Sequence, residues 1–228
     1  MKTNLLITVV VLCSQVTFAQ EKFPANRFEG EIKAFEEADK KSPPPEHAIL
    51  FVGASGIKLW KTLEKDFPDH QVINRGFGGS QIADAIYFAD RIVIPYKPKT
   101  IVLQSGGNDI NAGKTPEQIA EGFRLFVEKV RGKLPEVRIL FMSLQPSPAR
   151  WTQAEKQKQT NALILKQIQA GKNMAYIEAY DAFLNSDGKP RDELFVADKL
   201  HHNEAGYKIR TKLVLPFLKG EEKSAKQP

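Results

Sequence analysis

Short apolar runs recur along the chain and are separated by longer, mixed segments. The run Ile49-Leu50-Phe51-Val52 shows no alternation with polar residues, which indicates a strand buried on both faces. The same kind of pattern predicts five strands in all, at 47–52, 71–74, 100–105, 137–142 and 174–178.

The segments between these runs carry apolar residues at helical spacing. Ile119, Phe123 and Phe126 share one face of a helix that Thr115-Pro116 caps. Further helices are predicted from Phe28 to the prolines at 43–45, from about 80, over about 152–170, and from 203 to about 218. Strands that alternate with helices imply a parallel sheet covered on both faces, so we expect one three-layer α/β/α domain over residues 20–219.

Glycine-rich or polar segments follow four of the predicted strands. They are Gly53-Ala54-Ser55, Gly78-Gly79-Ser80, Gly106-Gly107-Asn108 and, after the fifth strand, Asp198 with His201. Active sites of parallel sheets lie beyond the carboxyl ends of the strands. We therefore expect these four segments to meet at one edge of the sheet.

Asp198 precedes His201 by three residues. This spacing lets the carboxylate reach Nδ1 of the imidazole within one turn and leaves Nε2 free to serve a distant serine hydroxyl. Alone, the pair could be a solvated feature of a helix end. Together with Ser55 and two glycine-rich segments at the same predicted edge, it indicates the acid, base and nucleophile of a serine hydrolase.

Residues 1–19 form a distinct N-terminal segment. Lys2 is followed by an apolar run from Leu5 to Cys13, which is too short to span a bilayer, and the segment ends at Ala19. This pattern predicts a signal peptide cleaved after Ala19 and a secreted or periplasmic protein. Cys13 is the only cysteine, so no disulfide is expected in the mature chain.

Charge and ligand types argue against several kinds of partner. The formal net charge is +6, but basic residues are interspersed with acidic ones, so we expect no nucleic-acid interface. No later apolar stretch is long enough to cross a membrane. A metal site from Asp198, His201 and His202 is conceivable but poor, since the chain has four histidines, and we expect neither metal nor cofactor. The sequence also predicts a polar C-terminal tail at 220–228. It does not indicate the oligomeric state of the protein.

Four blocks in order resemble the SGNH hydrolases, also called GDSL-type esterases and lipases, which have a flavodoxin-like fold. The blocks are Ile49 to Ser55, Asn74 to Ser80, Gly106-Gly107-Asn108-Asp109 and Asp198-Lys199-Leu200-His201. The first block departs from the pattern, because Ala54 stands where the family name expects Asp and Gly56 where a larger residue is common. The nucleophile elbow of the α/β-hydrolases is less similar, because Ile57 stands where that motif has its second glycine. Residues 76–81 partly match a dinucleotide-binding fingerprint, but Gln81 stands where that motif needs Gly or Ala.

The resemblance implies a role for each matching residue. Ser55 would be the nucleophile, with Asp198 and His201 as acid and base, and Ser55, Gly79 and Asn108 would donate to the oxyanion. Gly79 could instead serve only as a helix entry, and Asn108 as a turn residue.

The substrate is less constrained than the chemistry. Gln145, Arg150 and Trp151 follow the fourth predicted strand and could wall the substrate pocket, or belong to a plain Pro-rich loop. The resemblance implies a small-molecule or polysaccharide ester. Short connections without a lid favour acetyl or similarly short acyl groups on carbohydrates. A lysophospholipase or arylesterase of the same family, and a non-catalytic carbohydrate-binding domain, stay as alternatives.

Overall fold

A computed structural model describes residues 27–219 of the chain. The predicted signal peptide at 1–19 and the predicted tail at 220–228 lie outside the described residues. The domain boundaries at 20 and 219 therefore stay predictions.

Within the described residues the strands form one parallel sheet. Its strands are Ile49–Gly53 (β1), Val72–Gly76 (β2), Thr100–Gln104 (β3), Arg138–Met142 (β4) and Met174–Ile177 (β5), in the order β2-β1-β3-β4-β5. All five predicted strands are present, and their boundaries differ from the prediction by a residue or two. The predicted three-layer α/β/α fold is confirmed.

Helices cover both faces of this sheet. They are Glu29–Lys41 (α1), Ser55–Lys58 (α2), Leu63–Asp66 (α3), Ile82–Tyr87 (α4), Ala89–Ile92 (α5), Gly107–Asn111 (α6), Pro116–Arg131 (α7), Ala154–Ala170 (α8) and Glu204–Val214 (α9). The segment predicted as one helix from about 80 is divided between α4 and α5.

Successive strand side chains point to opposite faces of the sheet, which creates two apolar cores. Leu50 and Val52 of β1 pack in one core, against α1, α4, α5, α7 and α8. Ile49 and Phe51 pack in the other, with Trp60 and residues of α2, α3 and α9. These strand residues are fully buried, so the apolar runs in the sequence correspond to strands covered on both sides.

The order of the strands reverses at β1, which lies between β2 and β3. Its last residue, Gly53, is in register with Gly76 of β2 and Gln104 of β3. Ligands of open α/β sheets bind in the crevice that such a reversal leaves at the carboxyl edge. Ser55 follows β1 and lies at this crevice.

Candidate active site

Ser55 is the first residue of α2, two residues beyond the end of β1. The next position, Gly56, has no room for a side chain. A Cβ there would lie 2.7 Å from Oε1 of Gln104 and 3.0 Å from Nη1 of Arg210. A larger residue at this position would therefore displace the Gln104 and Arg210 side chains, which the glycine accommodates.

Asp198 and His201 lie on one tight turn, in which Lys199 has a left-handed backbone (φ +58°). Oδ1 of Asp198 accepts hydrogen bonds from the N–H groups of Leu200 and His201, both at 2.9 Å. Oδ2 lies 2.6 Å from Nδ1 of His201. The backbone N–H and the ring of His201, with the Leu200 N–H, lower the pKa of the Asp198 carboxyl to about 2. The carboxylate is thus held ionised against the imidazole.

His201 links this turn to the serine. Its Nε2 lies 2.9 Å from Oγ of Ser55, although 146 residues separate the two in sequence. Asp198, His201 and Ser55 therefore form a continuous hydrogen-bonded row. In this arrangement the histidine can remove a proton from the serine hydroxyl while the carboxylate fixes its tautomer.

Two predicted oxyanion donors lie on neighbouring segments, Gly79 in the loop before α4 and Asn108 in α6. Gly79 has φ +80°, a conformation that favours glycine, and a Cβ there would meet nothing within 4 Å. The backbone conformation, rather than crowding, explains the glycine. The Asn108 amide Nδ2 donates to the Ser80 carbonyl at 3.0 Å, which uses one of its two N–H bonds and holds this loop beside α6.

Arg150 fixes the other end of the Asn108 amide. Its Nη2 donates to Asn108 Oδ1 and its Nη1 donates to the Gly107 carbonyl, both at 3.1 Å. Because arginine has no acceptor, the amide oxygen must face Arg150 and the amide nitrogen must face away from it. The segment that carries Arg150 is tied to the catalytic turn, since the Ala149 N–H donates to the Lys199 carbonyl at 3.0 Å.

A cavity of about 100 Å³ opens beside Ser55 and His201. Gln145 and Arg150 line it, and their role as a substrate wall stays a prediction. Trp151 does not lie in this wall, and Lys189 Nζ is 5.9 Å from the centre of its ring.

Sequence reasoning missed Arg210, which also lines this cavity. Its side chain is fully buried, and burial lowers its pKa to about 10. A signal was present, because Arg210 follows Tyr207 by three residues and precedes Val214 by four, which places it on the buried stripe of α9.

His202, next to the candidate base, has a different environment. Its ring stacks on Phe183 at 4.5 Å between centroids and tilts against Phe195 at 5.0 Å. Burial holds the pKa of His202 well below the usual value for histidine. His202 therefore packs against aromatic rings, and it also borders the cavity beside Ser55.

Residues 27–219 contain neither a metal-binding cluster nor a membrane-spanning helix. Nowhere in that range do three or more His, Cys, Asp or Glu side chains come close enough together to bind a metal ion. In the same range, no helix combines the length and the apolar character needed to cross a membrane.

A three-layer α/β/α domain with an acid, a histidine and a serine aligned at the carboxyl edge of its sheet defines a class of hydrolases. The chain belongs to the GDSL-like lipase/acylhydrolase family, whose model matches residues 52–209. The predicted membership of the SGNH hydrolases is confirmed, and the protein is an ester-hydrolysing enzyme.

The sequence identity between the chain and individual relatives is low. The chain is 27% identical over 183 residues to the human platelet-activating factor acetylhydrolase IB subunit alpha1, covering 75% of this chain and 74% of that protein. A GDSL-like lipase from Bacteroides thetaiotaomicron has a similar structure, with a TM-score of 0.67, 18% identity and coverage of 86% of this chain and 98% of that one. A family 3 carbohydrate esterase from Clostridium thermocellum is also similar, with a TM-score of 0.61, 19% identity and coverage of 75% of this chain and 96% of that one. At these identities the two structures show a shared fold.

Proposed function

We propose that the enzyme hydrolyses carboxylic esters through an acyl-enzyme intermediate on Ser55. The observation that carries this proposal is the row Asp198–His201–Ser55, with 2.6 Å and 2.9 Å between its polar atoms. Ser55 Oγ attacks the ester carbonyl while its proton passes to Nε2 of His201. The imidazolium then protonates the leaving alkoxide, and the neutral ring activates a water that releases the acid and frees Ser55.

The negative charge of each tetrahedral intermediate needs donors on the opposite side of the carbonyl. We assign this role to the N–H groups of Ser55 and Gly79 and to the second N–H of the Asn108 amide. Within residues 27–219 the Gly79 N–H donates to no backbone carbonyl. Arg150 adds to this arrangement, because its donation to Asn108 Oδ1 polarises the amide and strengthens Nδ2 as a donor.

We further propose that the acyl group is short and the alcohol is polar or carbohydrate-like. Pockets for drug-sized ligands measure about 300–1,000 Å³, whereas the cavity beside Ser55 measures about 100 Å³. Gln104, Gln145 and Gln157 contribute amide groups to its wall. A relative named as an acetylhydrolase supports a short acyl group.

The predicted signal peptide at 1–19 supports export of the enzyme to the periplasm or the medium. Its substrate would then be an ester outside the cytoplasm, such as an acetylated polysaccharide or oligosaccharide. Detection of a chain beginning at Gln20 in the periplasmic or secreted fraction, by N-terminal sequencing, tests this assignment. An intact N-terminus in the cytoplasmic fraction alone would contradict it.

The serine assignment is tested with Ser55→Ala. We expect hydrolysis of p-nitrophenyl acetate and covalent labelling by a fluorophosphonate to be lost, with the circular dichroism spectrum unchanged, because a single oxygen atom at the cavity is removed. Ser80→Ala is the matched control, since the Ser80 hydroxyl is buried without a hydrogen-bond partner within the described chain. It should keep its labelling. Labelling of Ser55→Ala at the wild-type level would remove Ser55 from the mechanism.

A further inference from the structure

Two arginines line the cavity beside Ser55, and no acidic residue of the described chain lines it with them. Arg75 and Arg91, which are also at least partly shielded from solvent, form ion pairs. Arg75 binds Asp39, and Arg91 binds Glu36 and Glu29. Neither Arg150 nor Arg210 forms an ion pair within residues 27–219. Buried charges in proteins are normally paired with an opposite charge. Arg150 is half-buried, and the fully buried Arg210 has the Trp60 ring, 4.9 Å from its guanidinium, and neutral oxygens around it.

Arg210 supplies positive charge from beneath the cavity. Its Nη1 donates to the Gly56 carbonyl at 2.7 Å, and its Nη2 donates to Gln104 Oε1 at 3.0 Å. Nε has no partner among the described residues, although the side chain is fully buried. Because the oxygen of Gln104 must face Arg210, the Nε2 amide group of Gln104 is left for the cavity.

Arg150 and Gln145 supply donors from the opposite wall. Arg150 uses one N–H on Gly107 and one on Asn108, which leaves the rest of its five N–H groups. Burial lowers the pKa of Arg150, and no carboxylate offsets this penalty. Both amide atoms of Gln145 are buried without a hydrogen-bond partner in the described structure.

The two acidic residues next to the site residues in sequence are already engaged. Asp198 is bound by His201 and by two backbone N–H groups. Asp109, beside Asn108 in sequence, accepts from the Ile82 N–H at 3.1 Å and lies 3.3 Å from Lys114 Nζ. The cavity therefore combines two cations, unused amide donors and no anion.

We propose that this cavity is an anion subsite and that the substrate is an ester carrying a carboxylate, which Arg150 and the amides of Gln104 and Gln145 bind. Charge-assisted hydrogen bonds from a guanidinium to a carboxylate are about twice as strong as neutral ones. The carboxylate would offset the charge of Arg150 directly and that of Arg210 through space. This inference rests on the proposed function and narrows its substrate class. The carboxylate belongs either to the alcohol, as in an acetylated uronic acid, or to the acyl group, as in a succinyl ester.

Two pairs of probes distinguish these sources. For the alcohol side, 4-acetoxybenzoate is compared with 4-acetoxybenzamide by absorbance. For the acyl side, monoethyl succinate is compared with ethyl succinamate by ethanol release. Within each pair the members differ only in carboxylate against amide. We expect kcat/KM to be at least tenfold higher for the carboxylate in one pair, which identifies its side.

Variants test whether Arg150 causes the preference. Because Arg150 also holds Asn108, the readout is the ratio of kcat/KM within a pair rather than either value alone. Arg150→Gln should reduce the ratio to about one, and Arg150→Lys should keep most of it. Arg124→Gln removes the same charge from an exposed position and should leave the ratio unchanged. Ratios within twofold of one in both wild-type pairs, or an unaltered ratio in Arg150→Gln, would overturn the subsite.

Binding to Ser55→Ala separates this inference from the proposed function. Calorimetry should show at least tenfold tighter binding of the carboxylate member of the preferred pair. If the wild-type enzyme hydrolyses none of the four esters, the proposed function fails, but calorimetry of both pairs still decides whether the cavity binds anions. Equal affinities for carboxylate and amide in both pairs would overturn the anion subsite even if the esters are hydrolysed.

Discussion

Asn108 connects three parts of the site through one amide group. Its nitrogen donates to Ser80 in the loop after β2, and its oxygen accepts from Arg150 in the segment after β4. Ser80 accepts from one N–H of the amide and Arg150 donates to its oxygen, so the second N–H is left for the substrate. The orientation of that bond is fixed before substrate binds, which is the condition for effective oxyanion stabilisation.

Replacement of Asn108 by Ala should lower kcat by about 10²–10³, the loss typical of one oxyanion donor. KM should change little, because the lost interaction is made with charge that develops in the transition state. Asn108→Asp is the shape-matched variant and should be similarly impaired, since a carboxylate cannot donate. Steady-state kinetics on p-nitrophenyl acetate measure both. A change confined to KM would indicate that Asn108 only binds the ground state.

Asp198→Asn should lower kcat by about 10³–10⁴, because the amide nitrogen would face Nδ1 of His201 and favour the wrong tautomer.

The low pKa of Asp198 also has a consequence for stability. Its value falls from 3.8 to about 2 in the folded protein. A carboxyl group whose pKa is lowered by folding stabilises the folded protein. This stabilisation is complete above the pKa of the unfolded chain and is lost as the pH falls through the pKa of the folded protein.

The measurement is the unfolding midpoint of the wild-type protein and of Asp198→Asn between pH 2 and pH 6. Any stability advantage of the wild type should be constant above about pH 4.5 and shrink toward pH 2. A gap that does not change with pH would show that the carboxylate is no better stabilised in the folded protein than in the unfolded chain.

The sequence predicted which residues would gather at the edge of the sheet, and the structure brings Ser55, Asp198 and His201 together. Such a prediction is possible because the carboxyl ends of parallel strands share one edge. The buried stripe of α9 indicates that Arg210 is buried, but it does not indicate that Arg210 reaches Gly56 and Gln104, which lie 154 and 106 residues away. Contacts of this range depend on how α9 packs on the sheet, which no local pattern specifies.

At the scale of elements, buried strands and long amphipathic helices were predicted well, and short helices were not. The helix α6, Gly107–Asn111, is one turn long and begins in a glycine-rich segment, so it has no apolar periodicity to detect. Its formation depends on contacts with α7 and α8. The helix α2, whose four residues begin at Ser55, is likewise too short to show apolar periodicity. Both short helices position candidate site residues.

The start of α7 was predicted from Thr115-Pro116, and its energetics can be tested. The Thr115 side chain accepts from the Gln118 N–H at 3.3 Å, and the Gln118 side chain accepts from the Thr115 N–H at 2.9 Å. Thr115→Ala should therefore lower the free energy of unfolding by about 1 kcal/mol. Thr115→Ser keeps the oxygen and should cost less. Urea denaturation measures both, and kcat should not change. Equal stability of Thr115→Ala and the wild type would contradict a role for the cap.

At the scale of the whole molecule, the strand order places the candidate site at a fixed position. Because β1 lies between β2 and β3, the segments that follow these three strands start from neighbouring positions, and they carry Ser55, Gly79 and Asn108. The histidine arrives from the segment before α9, on the face opposite α7. The sheet thus separates the two cores while its edge brings residues from both sides into contact.

This placement leaves little apolar surface for a long acyl chain. An apolar cleft would contribute about 0.8 kcal/mol for each buried CH₂ group, or about a fourfold gain in kcat/KM for each CH₂ group. The cavity beside Ser55 is small and lined by amides and arginines as well as by Leu144, Phe195 and Leu200. We therefore expect no such gain with chain length.

The test is a series of p-nitrophenyl esters from acetate to octanoate. We expect kcat/KM to be highest at acetate or propionate and to fall from butyrate onward, because a longer chain must leave the cavity and lie against solvent. Ester solubility is controlled by measuring the whole series at one concentration of co-solvent. A steady rise in kcat/KM toward octanoate would show that an apolar cleft forms on binding, and the substrate class would then be the lysophospholipids that the family resemblance also allowed.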